Sequence, residues 1–500
     1  MVTKRDTFKA FYTKSNPIVE YMVNRLHLHE GHKVFEPCAG DGVFIDALLA
    51  KTENLSIDAY ELDTNAYRVL NNKNYSEKVR LKLADTLTSE ELYVYAQSGG
   101  IYDRIIANPP YGAWQSFERR KLLKKLYPNF YVKETYTLFL YRCLQLLKPE
   151  GILVFIIPDT FLNLHLHVTL REIILTKSKI KDIALIPSHF FPGVNFGYAN
   201  LAIITLSKGE KIQENLANWV KVYRGFEKVS DLTTLSPKLR ILESSQETVY
   251  KNPSHAFFIS NNHKVIELLS SSSLRVGDVA DCITGFYSGD DKAYLRVANP
   301  NVKNAKNYLL LNPALVKSNY LEVDNLLSGI EGLECFLPIV KGGNTPYLKL
   351  PEWYIDWGKL AVNNYKTDKK ARFQNAEYYF RTGIGVPMVS SKQITASLME
   401  NSLFDQSIVG IFPKDEILTY YLLAFFNSPT CNQLIRTINP SANNPANYLK
   451  KIPLIIPDDY ILGEINMTVE EILDGLRTGK NFVSRLQNRL DSIFKELYGF

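Results

Sequence analysis

Between residues 33 and 207, short apolar runs alternate with amphipathic helical patterns, and this alternation constrains the fold of the chain more than any other feature. Lys33-Val34-Phe35-Glu36 reads as a strand that ends in Pro37-Cys38-Ala39-Gly40-Asp41-Gly42, and a helix-like stretch, Val43–Leu49, follows. Ser56–Tyr60 is a second strand ending at Glu61-Leu62-Asp63, and Val79–Ala84 a third ending at Asp85. Tyr102–Ala107 is a fourth, ending at Asn108-Pro109-Pro110-Tyr111; a long helix through Tyr136–Leu147 and a fifth strand at Gly151–Ile157 come next. Strands alternating with helices predict a parallel, doubly wound α/β sheet. Such sheets bind ligands outside the carboxyl ends of their strands, and Gly40, Glu61, Asp85 and Asn108 all stand at those ends.

Each of these positions suits a chemical task. Gly40 and Gly42 permit a tight turn and a close backbone approach to a ligand. The turn is not Gly-x-Gly-x-x-Gly, and no Lys-Ser/Thr follows it, which disfavours a pyrophosphate cradle. Glu61 can accept from two ribose hydroxyls, and Asp85 from an adenine amino group. Ribose and adenine contacts without a phosphate loop point to S-adenosylmethionine. Either acid taken alone is equally at home as a helix cap or a solvated loop carboxylate. Asn108-Pro109-Pro110-Tyr111 offers carbonyl acceptors on a loop stiffened by prolines, with Tyr111 as a stacking face. That set suits a planar substrate carrying an NH₂ group, although Asn-Pro also marks ordinary turns.

Composition narrows the class further. Of 500 residues, 46% are hydrophobic and 22% charged, which predicts a globular chain of two or three domains. A net charge of +6 is compatible with a polyanionic partner. The five cysteines (Cys38, Cys143, Cys282, Cys335, Cys431) are scattered without a Cys-x-x-Cys pair, so neither a zinc site nor a disulfide framework is expected. His165 and His167 lack a third ligand, and no metal is expected. Cys38 has no adjacent base and reads as a packed residue. No signal peptide or membrane span is apparent, and a cytoplasmic setting is expected.

The order of these motifs resembles that of the gamma class of DNA adenine (N6) amino-methyltransferases of restriction-modification systems. Phe11-Tyr12-Thr13-Lys14-Ser15-Asn16-Pro17, running into Ile18–Val23, resembles the family's first cofactor motif, and Phe35–Phe44 its cofactor turn. Leu138–Pro158 resembles its later helix and strand, and Phe190–Val194 with Ala199–Leu206 its last catalytic segment. The resemblance covers about residues 8–208. It implies a Rossmann-like S-adenosylmethionine-dependent catalytic domain at 1–208, followed by an α+β target-recognition domain. By the same resemblance Thr13, Glu36, Ala39, Gly40, Glu61, Asp85 and Asn108 contact the cofactor. Asn108, Pro109, Pro110 and Tyr111 form the catalytic loop, and Phe191 packs on the extruded base, with Phe196 as its rival. Asn16 departs from the Thr or Pro that the family often carries beside the loop proline.

After Lys208 the pattern changes. Residues 209–254 read as a polar linker with a strand or two, and 255–500 as the recognition domain with C-terminal helices. Ile283–Tyr294, Val340–Asn344, Tyr420–Ser428 and Ile452–Pro457 resemble segments of such domains. Asn439–Pro445 is either a plain structural loop or one whose side chains suit a DNA groove. The run Glu118–Lys125 is either a solvated helix face or a phosphate contact. Thr468-Val469-Glu470-Glu471 has capping-box spacing and predicts a helix start. The motif beginning at residue 11 leaves no room for an N-terminal nuclease, so a standalone modification enzyme is expected. Its partner would be double-stranded DNA, with or without a separately encoded restriction endonuclease, and a chain carrying both catalysis and recognition can work as a monomer. RNA or a protein glutamine as substrate, and a non-catalytic DNA-binding specificity subunit, are the alternatives.

Overall fold

The computed structural model describes residues 15–112, 115–190, 200–234, 239–260, 262–332, 334–343, 345–390, 393–439, 442–479 and 483–500. The chain divides into two compact units, Met1–Asn261 and Asn262–Phe500.

The first unit is built on a sheet of nine described strands: β1 (Lys33–Glu36), β2 (Ser56–Glu61), β3 (Val79–Leu83), β4 (Tyr102–Ala107), β5 (Leu147–Pro158), β6 (Ser178–Ile186), β7 (Leu201–Lys208), β8 (Trp219–Arg224) and β9 (Arg240–Ser245). Their spatial order is β3-β2-β1-β4-β5-β7-β6-β8-β9. Strands β1 to β5 run parallel, and β7 inserts antiparallel between β5 and β6. This is the expected Rossmann-like α/β arrangement. The strand order reverses between β1 and β4, so their loops open side by side at the carboxyl edge, where such sheets leave a crevice.

Local signals explain the intervening helices. α1 (Asn16–Arg25) carries Pro17 in its first turn, where a missing N–H costs nothing. α2 (Val43–Lys51) starts at Gly42, whose φ of 81° needs a residue without a Cβ. α3 (Thr64–Asn71) is capped by Asp63, which accepts from the N–H groups of Asn65 and Ala66. α4 (Glu90–Gln97) and α5 (Phe117–Leu126) are capped by Ser89 and Ser116. α6 (Thr135–Leu146) is buried on nearly every side, which its continuous apolar sequence allows. The core is continuous through Phe35, Ile57, Tyr60, Ile105, Leu153, Phe155 and Ile203, all fully buried.

Two expectations are corrected here. Residues 209–254 do not form a linker. Strand β8 pairs parallel with β6, and β9 pairs antiparallel with β8, so this segment extends the first sheet and the unit runs to Asn261. Val220 and Val222 alternate with exposed neighbours and bury one face of β8, a two-residue period that the polar surroundings mask. Thr468 does not start a helix. The helix spans Asp459–Arg477 with Asp458 as its cap, and the Thr468 hydroxyl donates back to the Glu464 carbonyl at 2.7 Å.

The second unit is α+β. One five-stranded sheet comprises, in order, Ala280–Thr284, Ile408–Pro413, Gly383–Pro387, Ser397–Met399 and Tyr347–Leu348. The other comprises Leu309–Leu310, Leu295–Val297, Trp353–Asp356, Phe336–Val340 and Leu403–Phe404. Helices Leu418–Asn427, Pro429–Ile438, Asp459–Arg477 and Val483–Tyr498 follow in sequence. The segments around Ser288–Asp291 and Lys341, distant in sequence, meet in an ion-pair knot. The Lys341 ammonium donates to Asp291 at 2.8 Å and to Asp405 at 2.6 Å, and the Ser288 hydroxyl donates to Asp291. Among the described residues no helix is long and apolar enough to cross a membrane.

Candidate active site

The turn after β1 and the loop after β4 are joined directly. The Cys38 thiol donates to the Asn108 carbonyl at 3.5 Å, across the point where the strand order reverses. Burial, then the neighbouring Glu36 carboxyl, pushes that thiol well above its usual range, so it is a packing group without nucleophilic character.

On the β1–β3 side the predicted residues converge. The Glu61 carboxylate, at the end of β2, accepts from Gly40 N–H and from Asp63 N–H, each at 2.7 Å. Burial raises its pKa, while the hydrogen bonds from Asp63, Gly40 and Leu62 N–H act against that rise. Ala39 N–H donates to the Tyr60 carbonyl at 2.9 Å, fixing the turn to β2. Gly40 has φ 57°. A Cβ on Gly42 would stand 2.6 Å from Leu70 Cδ2 and 2.7 Å from the Tyr75 hydroxyl. Glu36 is 1% exposed, and its Oε2 has no hydrogen-bond partner among the described residues. Burial, reinforced by Glu61, Asp41 and Asp46, holds the Glu36 carboxyl well above the usual carboxylate range. A buried acid with an oxygen unpartnered among the described residues, beside a glycine turn and a second acid held by backbone N–H groups, fits a ligand that brings a cation and hydroxyl groups to this edge.

Asp85, at the end of β3, is placed differently from a lone acceptor. Its Oδ1 accepts from Leu87 N–H at 3.0 Å, and its Oδ2 is paired with the Arg119 guanidinium on α5.

The β4 side forms a second cluster. Asn108 is half-buried and Pro109 buried. The Pro110 carbonyl, expected as an open acceptor, receives the Thr135 hydroxyl at 2.7 Å. Tyr111 does not present its ring to solvent. It is 6% exposed, its hydroxyl donates to the Ile156 carbonyl at 3.2 Å, and its ring lies edge-on to Tyr136. Behind the loop, His167 Nε2 lies 2.8 Å from Glu134 Oε2, and the Tyr136 and Thr160 hydroxyls are 3.1 Å apart. Thr13, Phe191 and Phe196 lie outside the described residues.

The sequence does not single out Thr135, Tyr136, Glu134 or Asp159, and Arg119, expected in a solvated helix face or a phosphate contact, is paired with Asp85 instead. Asp159 directly follows β5 at the same sheet edge, and burial raises its pKa to about 6. The strand-end rule that selected Glu61 and Asp85 would also have selected Asp159. Among the described residues, no group of three or more His, Cys, Asp or Glu side chains could hold a metal ion.

Residues 23–191 match the family model described as Eco57I restriction-modification methylase. The Type II methyltransferase M.HindII of Haemophilus influenzae is 26% identical over 313 residues, which is 58% of this chain and 56% of that protein. The adenine-specific methyltransferase BrxX of Escherichia coli O9:H4 is 22% identical over 425 residues, 81% of this chain and 32% of that protein. The aligned parts thus amount to little more than half of M.HindII and a third of BrxX. Among solved structures, the cryoEM structure of a DrdV–DNA complex superposes with a TM-score of 0.57 at 14% identity, covering 94% of this chain and 57% of that chain, a likeness of fold. The family match spans β1 to β6, including every strand end that carries the acids and the Asn108 loop, and over that span the first unit is similar to methyltransferases of the restriction-modification type.

Proposed function

We propose that this chain methylates the exocyclic amino group of an adenine extruded from double-stranded DNA, using S-adenosylmethionine, as the modification enzyme of a restriction-modification system. The observation that carries this reading is the junction of the Asn108 loop with the glycine turn through the Cys38–Asn108 contact. It brings a set of amide-type acceptors beside a site suited to a nucleoside-bearing cation. Glu61 would hold the ribose hydroxyls and Asp85 the adenine of the cofactor. Glu36, Ala39 and Gly40 would line the rest, with Thr13 as a further contact by resemblance. The bound cofactor supplies an electrophilic methyl group on a sulfonium.

The chain's own residues do the rest. An adenine amino group is a poor nucleophile because its lone pair is delocalised into the ring. The Asn108 side-chain oxygen and the Pro109 carbonyl accept hydrogen bonds from its two N–H groups, which draws the nitrogen towards sp³ geometry and turns its lone pair out of the ring. This is catalysis by positioning and by dipoles set in advance, and it needs no strong base. Extruding the base costs a few kcal/mol. Stacking on an aromatic offsets part of that cost, and Phe191 takes that role. Tyr111 joins it only after its ring leaves the Tyr136 contact. The second unit selects the target sequence.

The test is purified chain with methyl-labelled S-adenosylmethionine and duplex DNA. Asn108→Ala should lower methyl transfer by at least about 100-fold, the scale of losing one aligned dipole at a developing charge. Its affinity for S-adenosylhomocysteine should stay within about threefold of wild type. A variant retaining a tenth or more of the rate would exclude Asn108 from this role.

A further inference from the structure

Asp85 is held from two sides. Leu87 N–H donates to one carboxylate oxygen at 3.0 Å, and the Arg119 guanidinium donates to the other. The Asp85 side chain is 12% exposed and that of Arg119 28%, so the pair is largely withdrawn from solvent. Such a pair is screened far less than a surface salt bridge.

The origin of Arg119 gives the contact its interest. It sits in the first turn of α5, where its own N–H donates to the capping Ser116 hydroxyl at 3.1 Å. That helix follows the Asn108–Tyr111 loop, and its approach is fastened by the Gln115 amide donating to the Val132 carbonyl at 3.2 Å. Leu123, fully buried, anchors the same helix to the core. One ion pair therefore ties the end of β3 to the helix that leaves the catalytic loop. A carboxylate offers about four acceptor positions. Two donors fix its rotation and still leave room for a third.

We propose that Arg119 is a positioning residue for the adenine end of the cofactor, aiming the Asp85 carboxylate at the cofactor's amino group. This rests on the reading that Asp85 faces that adenine, and the experiment separates the two. Arginine suits the task because its planar fork orients a carboxylate, which an ammonium does less well.

The test measures calorimetric Kd values of the full chain for S-adenosylhomocysteine and for S-inosylhomocysteine, whose ring carries a carbonyl where adenine carries NH₂. Wild type should prefer the adenosyl compound by at least about tenfold, the scale of one hydrogen bond to a charged group. Asp85→Asn should abolish the preference. Arg119→Ala should reduce it to about threefold or less, and Arg119→Lys should recover part of it. Should the alanine variant not fold, Arg119→Gln is measured in its place. A preference unchanged in Arg119→Ala, with both affinities falling together, would overturn the proposal and leave Arg119 a structural contact. No preference in wild type, or a full preference in Asp85→Asn, would overturn the Asp85 reading itself, and the proposal with it.

Discussion

Glu36→Gln is expected to exchange cofactor affinity for stability, by an amount that depends on pH. The Glu36 side chain is 1% exposed, and its Oε2 has no hydrogen-bond partner among the described residues. Burial first, then the Glu61, Asp41 and Asp46 carboxylates, raise its pKa well above the usual range, against a smaller opposing pull from Lys73. The folded state therefore binds this proton more tightly than the unfolded chain does. The stabilising contribution is fully present below the unfolded value of about 4.3 and is lost as pH rises towards the raised folded value. Within that window each pH unit costs the wild type up to about 1.4 kcal/mol. Glutamine has no proton to lose and escapes this cost. In a domain of this size about 1 kcal/mol corresponds to about 2–4 °C in Tm. Thermal melts of both proteins between about pH 5 and about pH 8 should show the advantage of the variant widening by about 3 °C per pH unit before it levels off. Calorimetry at about pH 7.5 should show S-adenosylhomocysteine bound at least about tenfold more weakly by the variant, because a neutral amide does not balance a buried cation. A Tm difference that stays flat across this range, or that turns against glutamine as pH rises, would refute the picture of a buried, unpartnered acid awaiting a cation.

Two further perturbations test the packing around the functional segments. Gly42→Ala places a Cβ at φ 81° against Leu70 and the Tyr75 hydroxyl, which is itself held by Asp46 at 2.6 Å. Left-handed strain and overpacking together should cost about 2–4 kcal/mol in a urea titration, and a loss below about 1 kcal/mol would contradict the close approach seen here. Lys341→Met leaves the Asp291 and Asp405 carboxylates facing each other without their cation, and Asp405 is only 5% exposed. The second unit should lose about 3 kcal/mol in the same measurement, and a neutral outcome would show that the knot contributes nothing net.

Much of the sheet was legible because its strands are continuous apolar runs punctuated by polar ends, and β1 to β5 required no knowledge of partners. Glu61, Asp85 and the Asn108 loop follow from that punctuation, whereas Glu36 is implied only by the family resemblance. What stayed hidden depends on contacts distant in sequence. Tyr111 is a possible stacking face until the Ile156 carbonyl, 45 residues away, receives its hydroxyl. Asp85 looked like an open acceptor until Arg119, 34 residues on, closed over it. Strand β8 is hidden because only Val220 and Val222 mark its buried face, between Trp219, Lys221 and Tyr223. Thr468 carried a capping pattern, yet the apolar period of its helix, with Leu462 and Ile465 buried ahead of it, runs through that position from Asp459.

Whether the Asn108 loop directs methylation of adenine in DNA is read out by expressing the chain in a host without adenine methylation and sequencing its genome with modification-sensitive single-molecule reads. One adenine-containing sequence motif should be methylated at nearly every occurrence, and the genome should stay unmodified with Asn108→Ala. An unmodified genome from wild-type chain that is folded and binds S-adenosylhomocysteine would contradict that role of the loop.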